Sequence, residues 1–146
     1  MQIDIKIDEF CSELRIIIVT NQITDEIQEI INKLSNPSAR MLTGFRGNTL
    51  KILNQQEIIR IYTQSGKVLA ATVSGEYTLR FRLYELEARL DPKNFVRISN
   101  SEIINLKKVK GFDLSLAGNI RVTLTDGVVT YVSRRYISKI KKLLGI

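Results

Sequence analysis

The chain has 146 residues, of which 44% are hydrophobic, and it carries a formal net charge of +7 at pH 7. This length and apolar content predict one domain of ordinary size with a hydrophobic core, joined at most by a small appendage. No apolar run approaches the roughly 18 residues that a membrane-spanning helix needs, and the first residues lack the pattern of a signal peptide. We therefore expect a cytoplasmic protein without direct membrane insertion.

The residue types that most often support catalysis are scarce. The sequence contains no histidine and one cysteine, Cys11. This excludes imidazole metal ligands, nucleophiles activated by histidine, an internal disulfide and a cysteine-based zinc site. Cys11 is interpreted as a small buried hydrophobic residue. No pair of carboxylates, lysines or tyrosines stands out as a catalytic pair, so we expect no enzyme activity, no metal site and no cofactor.

The positive charge is concentrated in the later part of the sequence. Residues 1–45 contain four basic and seven acidic residues, a balance of −3, whereas residues 46–146 have a balance of +10. Electrostatic capture of a polyanion requires positive charge close to its phosphates. The distribution therefore indicates a polyanion-binding body with a non-binding appendage. On charge alone, a basic protein without a polyanion partner is the alternative.

The first 38 residues predict a strand–strand–helix unit. Gln2 to Asp8 alternates isoleucine with polar residues, which is typical of a strand with one solvated face, and Leu14 to Thr20 is a second apolar run. Thr24 is a suitable N-cap for a helix that ends at Asn36-Pro37. The apolar stripe of this helix consists of Ile23, Ile27, Ile30, Ile31 and Leu34.

After residue 38 the pattern changes to short strands separated by glycine turns. Asp126-Gly127 is the strongest hairpin signal, since Asp-Gly suits a two-residue type I′ turn between Ile120 to Thr125 and Val128 to Val132. Val68 to Val73 and Tyr77 to Phe81 form a second predicted hairpin. The other turn signals are Gly44 to Asn48, Ser65-Gly66, Ser74-Gly75 and Gly118-Asn119. We expect an α+β fold, mainly antiparallel β with inserted helices.

Two helices are predicted within this body. Leu83 to Leu90 has leucines at helical spacing and is followed by Asp91-Pro92, which stops a helix. Arg134 to Leu144 has an apolar face, with Ser133 as its cap and Gly145 in the C′ position.

The second helix carries arginines where its own field repels cations. Arg134 and Arg135 lie in the first turn, beside backbone N–H groups that have no partner within the helix. Two arginines there fit a bound anion such as phosphate. Two solvated arginines are the alternative on this pattern alone.

Four segments occur in the order QEIIRIYTQSGKVL, LYELEARL, FVRISNSEIINL and YVSRRYISKI. They resemble the LytTR-type DNA-binding domain family, whose pattern includes F-x-R-I-H-R-S-Y-I-V-N-L and V-S-R-R-Y. The match covers Thr43 to Ile146; each segment alone is weakly specific, but four in order are hard to obtain by chance. The resemblance implies a bacterial transcription regulator whose largely β domain places loops, rather than a helix-turn-helix recognition helix, into successive major grooves.

The resemblance also implies which residues contact DNA. Asn100 would face base edges, since its amide can donate and accept as a bidentate contact to adenine requires, and Arg135 would read guanine or clamp a phosphate. Lys107, Lys108 and Lys110 would add charge near the DNA backbone. For Asn100 the alternative is a turn residue that bonds its own backbone. The family's contact positions correspond to Gln64, Ser65 and Lys67, to Ser99, Asn100 and Ser101, and to Arg134 and Arg135.

The loop departs from the family pattern at three positions. Ser99 stands where the family has histidine, Asn100 where it has arginine, and Glu102 where it has tyrosine. A smaller, uncharged loop should read a different sequence or bind more weakly. Glu102 would repel phosphate unless it turns away or pairs with Arg97.

The remaining residues suggest how the regulator is organised. We interpret residues 1–38 as a docking or dimerising cap and residues 39–146 as the LytTR-type domain. The cap is too short for the receiver domain of about 120 residues that many family members carry, so receiver phosphorylation is not the expected input. The chain resembles the short regulators without a receiver, whose signal often comes from a membrane-protein partner.

The sequence therefore predicts a sequence-specific regulator that binds double-stranded DNA as a homodimer. An RNA- or single-strand-binding β module is one alternative, but it needs exposed aromatic residues for base stacking. The aromatic residues Tyr62, Tyr77, Phe81, Phe95 and Tyr131 mostly occupy core positions of the pattern. A basic protein-interaction module with an acidic partner is the other alternative.

Overall fold

Ten β-strands and three α-helices form the regular structure of the described residues, which are 1–35, 41–115 and 117–146 in this computed structural model. The helices are α1 (Asp25–Ser35), α2 (Leu83–Arg89) and α3 (Arg134–Leu144). The strands are β1 (Leu42–Arg46), β2 (Thr49–Leu53), β3 (Ile58–Gln64), β4 (Lys67–Thr72), β5 (Gly75–Leu79), β6 (Phe95–Ser99), β7 (Glu102–Asn105), β8 (Val109–Asp113), β9 (Ile120–Leu124) and β10 (Val129–Val132). The predicted α+β class is confirmed.

The strands form two antiparallel sheets. One has seven strands in the order β2-β1-β5-β4-β3-β7-β6, and the other has three in the order β10-β9-β8. Both predicted hairpins, β4–β5 and β9–β10, are present. Strand β7 lies between β3 and β6, with Glu102 opposite Tyr62 on β3 and Ile103 opposite Arg97 on β6. The loop that precedes β7 therefore lies beside the C-terminal end of β3.

Two groups of buried side chains hold these layers together. One joins α2 to the seven-stranded sheet, and the other joins β6 and β7 to the three-stranded sheet and α3. Ile103 belongs to the first group and Ile104 to the second, because adjacent residues of a strand point to opposite faces. Ile140 of α3 is fully buried. Burial of such a side chain contributes about 1.5–3 kcal/mol and fixes the helix against the sheet.

The β3–β4 and β9–β10 hairpins adopt different turns from each other. Ser65 has φ 52° and Gly66 has φ 74°, so the β3–β4 hairpin has the two positive φ angles of a type I′ turn. In the β9–β10 hairpin only Gly127 has a positive φ, of 85°, and its N–H donates to Leu124 O. The predicted type I′ turn at Asp126-Gly127 is wrong. The turn is a type I turn completed by a left-handed glycine, because Asp126 keeps an ordinary negative φ.

Gly44 lies within β1 and not in a turn. The turn between β1 and β2 consists of Gly47 and Asn48. A Cβ on Gly44 would stand 2.7 Å from Tyr77 Cβ and 2.8 Å from Leu53 Cδ1. Glycine is needed here because the neighbouring side chains occupy the space of a side chain, not because the backbone reverses direction.

The chain divides into two units, Met1–Ser35 and Asn36–Ile146. The predicted boundary between residues 38 and 39 and the predicted helix end at Asn36-Pro37 lie outside the described residues and stay predictions. None of the helices in the described ranges is long and apolar enough to cross a membrane.

The first unit corrects two predictions. Residues 1–24 form no strand, so the predicted strands Gln2 to Asp8 and Leu14 to Thr20 are wrong, and Cys11 is exposed rather than buried. Alternation alone does not make a strand, because a strand needs a neighbouring backbone and a covering layer. The predicted helix is present, and Thr24 Oγ1 accepts a hydrogen bond from Ile27 N at 3.4 Å, as a cap should.

Candidate nucleic-acid interface

The first predicted contact group lies at the tip of the β3–β4 hairpin. Gln64 and Lys67 form the last pair of the ladder, and Ser65 and Gly66 make the turn between them. Gln64, Ser65 and Lys67 are all exposed. The type I′ turn fixes the backbone of this tip, so its side chains project from a defined position.

The second group is the loop between β6 and β7. Ser101 N donates to Ser99 Oγ at 3.2 Å, and Ser101 O accepts from Thr63 N at 2.9 Å. The first bond closes the loop on itself, and the second joins it to the end of β3. Gln64 follows Thr63 directly, so the loop and the hairpin tip lie side by side.

Arg97 binds the backbone of the same loop. Its Nε donates to Ser99 O at 3.0 Å, and its Nη2 donates to Asn100 O at 2.8 Å. Its Nη1 pairs with Glu87 of α2. These bonds use two backbone carbonyls of the loop and leave the Asn100 side chain exposed. Hydrogen bonds from a charged donor are among the stronger ones, so Arg97 restricts the loop to one backbone conformation.

The third group, at the start of α3, is bonded to the second. Ser133 N donates to Ile98 O at 2.9 Å, and Tyr136 Oη donates to Asn100 Oδ1 at 3.3 Å. Arg135 is adjacent to Tyr136 in the first turn. Asn100, Arg134 and Arg135 therefore lie at the same end of the domain, and all three are exposed.

The electrostatics of this helix start favour an anion. The side chain of Ser133, the predicted cap, makes no capping hydrogen bond. Within the described residues the three ion pairs involve Arg60, Arg97 and Arg121, so Arg134 and Arg135 belong to none of them. Backbone N–H groups and two guanidinium groups without a carboxylate partner together attract phosphate.

We call the eight residues of these groups the loop surface: Gln64, Ser65, Lys67, Ser99, Asn100, Ser101, Arg134 and Arg135.

Lys107 and Lys108 lie elsewhere. They belong to the 3-10 turn that follows the end of β7, whereas the β6–β7 loop of the loop surface precedes the start of β7. Four strand residues separate the two positions, which corresponds to about 13 Å. Lys107 is exposed and Lys108 is half-buried. We call these two residues the lysine end, which the fold does not bring together with the loop surface.

Glu102 takes the first of the two arrangements that would avoid repulsion of phosphate, because it turns away from the surface. It is only 7% exposed, and it pairs with Arg60 at 3.1 Å and not with Arg97. Thr130 Oγ1 also donates to it, at 2.6 Å. Tyr136 and Arg60 were missed as functional candidates because their partners are distant in sequence, and Arg97 was missed because it binds backbone carbonyls of the loop, which no residue pattern shows. The family pattern around Arg97 and Tyr136 was the available signal.

Behind the loop surface, Arg60 stacks on a tyrosine. The central carbon of its guanidinium lies 3.9 Å from the centroid of the Tyr62 ring. Burial raises the pKa of the Tyr62 phenol above its ordinary value of 10.0, and its hydrogen bond to Glu76 acts in the same direction. The phenol therefore stays protonated in the physiological pH range.

No group of three or more metal-ligating side chains is found in the part of the chain that the structure describes. The arrangement is suited to recognising an extended anion with hydrogen-bonding edges. It places neutral amide and hydroxyl groups next to guanidinium groups at one end of a rigid sheet.

Comparison with known proteins agrees with this fold. Residues 48–145 match the family model described as the LytTr DNA-binding domain. An uncharacterized HTH-type transcriptional regulator of Staphylococcus aureus (strain NCTC 8325) is 35% identical over 147 residues, covering 100% of this chain and 99% of the relative. A regulator of the same description from strain MRSA252 is 34% identical over the same coverage.

A solved structure has the same architecture. The LytTr DNA-binding domain of a putative methyl-accepting/DNA response regulator from Bacillus cereus superposes with a TM-score of 0.70 at 20% identity, covering 73% of this chain and 98% of that chain. Since the family model spans more than half of the sequence, the chain belongs to the LytTR DNA-binding domain family.

Proposed function

We propose that this protein is a cytoplasmic transcription regulator that binds double-stranded DNA sequence-specifically and reads the major groove through the loop surface. The observation that supports this most directly is the pair of bonds that join the loop to α3, from Ser133 N to Ile98 O and from Tyr136 Oη to Asn100 Oδ1. They bring an amide and two guanidinium groups to one end of the domain. Its relatives in Staphylococcus aureus, which are described as transcriptional regulators, support the same role.

The chemistry of Asn100 suits a base reader. A carbonyl oxygen has two lone pairs, so Oδ1 can accept from Tyr136 and still accept from the N6 amino group of adenine. The amide NH₂ can donate to adenine N7 at the same time. The bond from Tyr136 orients the amide before DNA arrives, which lowers the entropy cost of the contact.

The charged residues of the loop surface provide affinity and register. Arg135 can form a bidentate contact with guanine or a phosphate, and Arg134 and Lys67 can neutralise neighbouring phosphates. Each neutralised phosphate releases counterions, so affinity should fall steeply as salt increases. The exposed serines Ser65 and Ser101 can donate hydroxyl hydrogen bonds to the DNA backbone.

Selection of bound sequences from a random duplex pool tests this function. We expect enrichment of one motif, present as paired half-sites at a fixed spacing. A labelled single strand of the same sequence should compete poorly. Absence of an enriched motif, or preference for the single strand, would contradict the proposal.

We propose that the regulator is a homodimer joined through residues 1–35. Several apolar side chains of this unit are mostly exposed, among them Ile3 (76%), Ile5 (87%) and Ile7 (92%). Exposed apolar side chains in such numbers indicate a surface that another chain covers. Sedimentation velocity of the full chain should give a dimer, and replacement of Ile3, Ile5 and Ile7 by serine should give a monomer. A monomeric wild-type chain would contradict this assignment.

The same unit is our candidate for receiving a signal from a regulatory membrane-protein partner. Its acidic charge disfavours contact with DNA and leaves it available for another protein. Cross-linking in cells, followed by recovery of the full chain, should capture a membrane protein. The serine variant of residues 3, 5 and 7 should capture less of it, and equal capture by both forms would contradict the idea.

A single-strand- or RNA-binding module is the second candidate because exposed aromatic residues are available for stacking. Tyr84 is 64% exposed and Tyr131 is 53% exposed, whereas Tyr77 and Phe95 are buried. The competition between duplex and single strand decides between these two candidates. A protein-interaction role without nucleic acid would instead be indicated if no nucleic acid were retained at low salt.

A further inference from the structure

Glu102 is a buried carboxylate directly behind the DNA-reading loop. It follows Ser101 and is only 7% exposed. A buried carboxylate without partners is strongly destabilising, so its position depends on the groups that bind it.

The two partners of Glu102 come from different sheets. Arg60 Nη1, on the neighbouring strand β3 of the seven-stranded sheet, lies 3.1 Å from Oε2. Thr130 Oγ1, on β10 of the three-stranded sheet, donates to Oε1 at 2.6 Å. The carboxylate uses one oxygen for each sheet and so connects them.

On the seven-stranded sheet, the side chain of Arg60 is itself held in place by its neighbours. Arg60 stacks on the Tyr62 ring, and the Tyr62 hydroxyl is hydrogen bonded to Glu76. The guanidinium is therefore restricted on two sides. Its orientation restricts Glu102, and the second oxygen of Glu102 in turn restricts Thr130.

The two connected positions lie next to two of the three groups of the loop surface, the β6–β7 loop and the start of α3. Glu102 comes two residues after Asn100, and Thr130 comes three residues before Ser133, the residue that precedes α3. The bond between Glu102 and Thr130 therefore connects the segment that follows the loop to the segment that precedes the helix start.

We propose that Glu102 is a positioning residue that acts through Thr130 to set the placement of Asn100 relative to Arg135. The proposal rests on the proposed function, because it concerns how one DNA site is contacted by both groups at once. Groups that are already placed for simultaneous contact lose less entropy on binding, and this advantage applies only to the correct DNA sequence. Random DNA, which is held through charge, gains little from it.

The test uses full-length Thr130→Val, which removes the hydroxyl but keeps the side-chain shape and the net charge. Affinities are measured at one salt concentration for the selected duplex and for a random duplex. We expect the ratio of the two affinities to fall about tenfold, as for loss of one hydrogen bond to a charged group. Affinity for random duplex should stay the same. Thr130→Ser, which keeps the hydroxyl, should restore the ratio.

Two controls separate positioning from a general loss of stability. Thr123→Val makes the same change on β9, where Thr123 pairs with Val129 and points to the opposite face of the sheet from Thr130. It should leave the ratio unchanged. In an Asn100→Ala background Thr130→Val should cause little further loss of the ratio, because the two changes remove the same advantage. A purely structural effect would reduce the ratio equally in both backgrounds.

A second variant covers the case in which Thr130→Val folds poorly. Glu102→Gln keeps the side-chain size and weakens both bonds, and it should lower the ratio as Thr130→Val does. An unchanged ratio in the folded variants, or an equal loss for both duplexes, would overturn the proposal while leaving the proposed function intact. A wild-type chain without preference for any duplex would overturn both.

Discussion

The loop surface and the lysine end lie at opposite ends of β7 and differ in how their polar groups are held. Asn100 is fixed by Arg97 through its backbone and by Tyr136 through its amide. Lys107 and Lys108 carry their charges on flexible four-carbon stems that can follow a phosphate but cannot fix a direction. We therefore expect the two ends to differ in use: the loop surface to discriminate between DNA sequences, and the lysine end to add affinity for any sequence.

The largest expected effect is loss of the arginines at the start of α3. Arg134→Gln with Arg135→Gln should weaken binding to the selected duplex by about 100-fold, because one bidentate contact alone is worth roughly 1–3 kcal/mol. The slope of log affinity against log salt concentration should become shallower, by an amount that corresponds to the loss of up to about two phosphate contacts. Fluorescence anisotropy with labelled duplex measures both quantities.

A matched control removes the same charge from the other end of the same helix. Lys141→Gln with Lys142→Gln changes two residues of the last turn. This variant should weaken binding only a few-fold, as expected for a general change in charge. Equal losses for the two double variants would remove the distinction between a specific contact and net charge.

A smaller effect is expected at the lysine end. Lys107→Gln with Lys108→Gln should weaken binding to selected and random duplexes by the same factor, roughly a few-fold, and leave their ratio unchanged. Parallel titrations of both duplexes at two salt concentrations measure this. A change in the ratio would mean that the lysine end also discriminates between sequences, and the two ends of β7 would then not differ in this respect.

The smallest effect concerns stability at high pH. The pKa of Tyr62 is raised in the folded state, first by burial and then by its hydrogen bond to Glu76. Its stabilising contribution is therefore fully present below the unfolded pKa of about 10 and is lost as pH rises through the higher folded pKa. Denaturant unfolding at pH 9 and 11 should show a larger loss of stability for the wild type than for Tyr62→Phe. Equal losses would contradict the raised pKa.

The sequence predicted the domain well where neighbouring strands supply each other's partners. The hairpins β4–β5 and β9–β10, and helices α2 and α3, were predicted from alternation, glycine turns and caps. The alternating residues Gln2 to Asp8 show the same pattern and form no strand. Alternation shows which face of a strand could be buried. It does not show whether a neighbouring strand is present to complete the backbone hydrogen bonds that a strand requires.

The candidate site was predictable as a set of segments but not as an assembly. Motif order predicted Asn100 and Arg135 as contact residues, whereas the bond between Tyr136 and Asn100 could not be predicted from the sequence. Tyr136 reaches Asn100 across 36 positions, and Arg60 reaches Glu102 across 42. Such contacts depend on the register of strands and on the packing of α3. The lysines after β7 were grouped with the site because charge is visible in sequence and strand direction is not.

The most direct test of the account is the effect of Asn100→Ala on the ratio of affinities for selected and random duplex. We predict that the ratio falls by about 10-fold or more, because a bidentate base contact is lost, while affinity for random duplex changes little. Asn48→Ala, in the exposed turn between β1 and β2, should leave both affinities unchanged. If Asn100→Ala left the ratio at the wild-type value, Asn100 would not read bases and the assignment of the loop surface would be wrong.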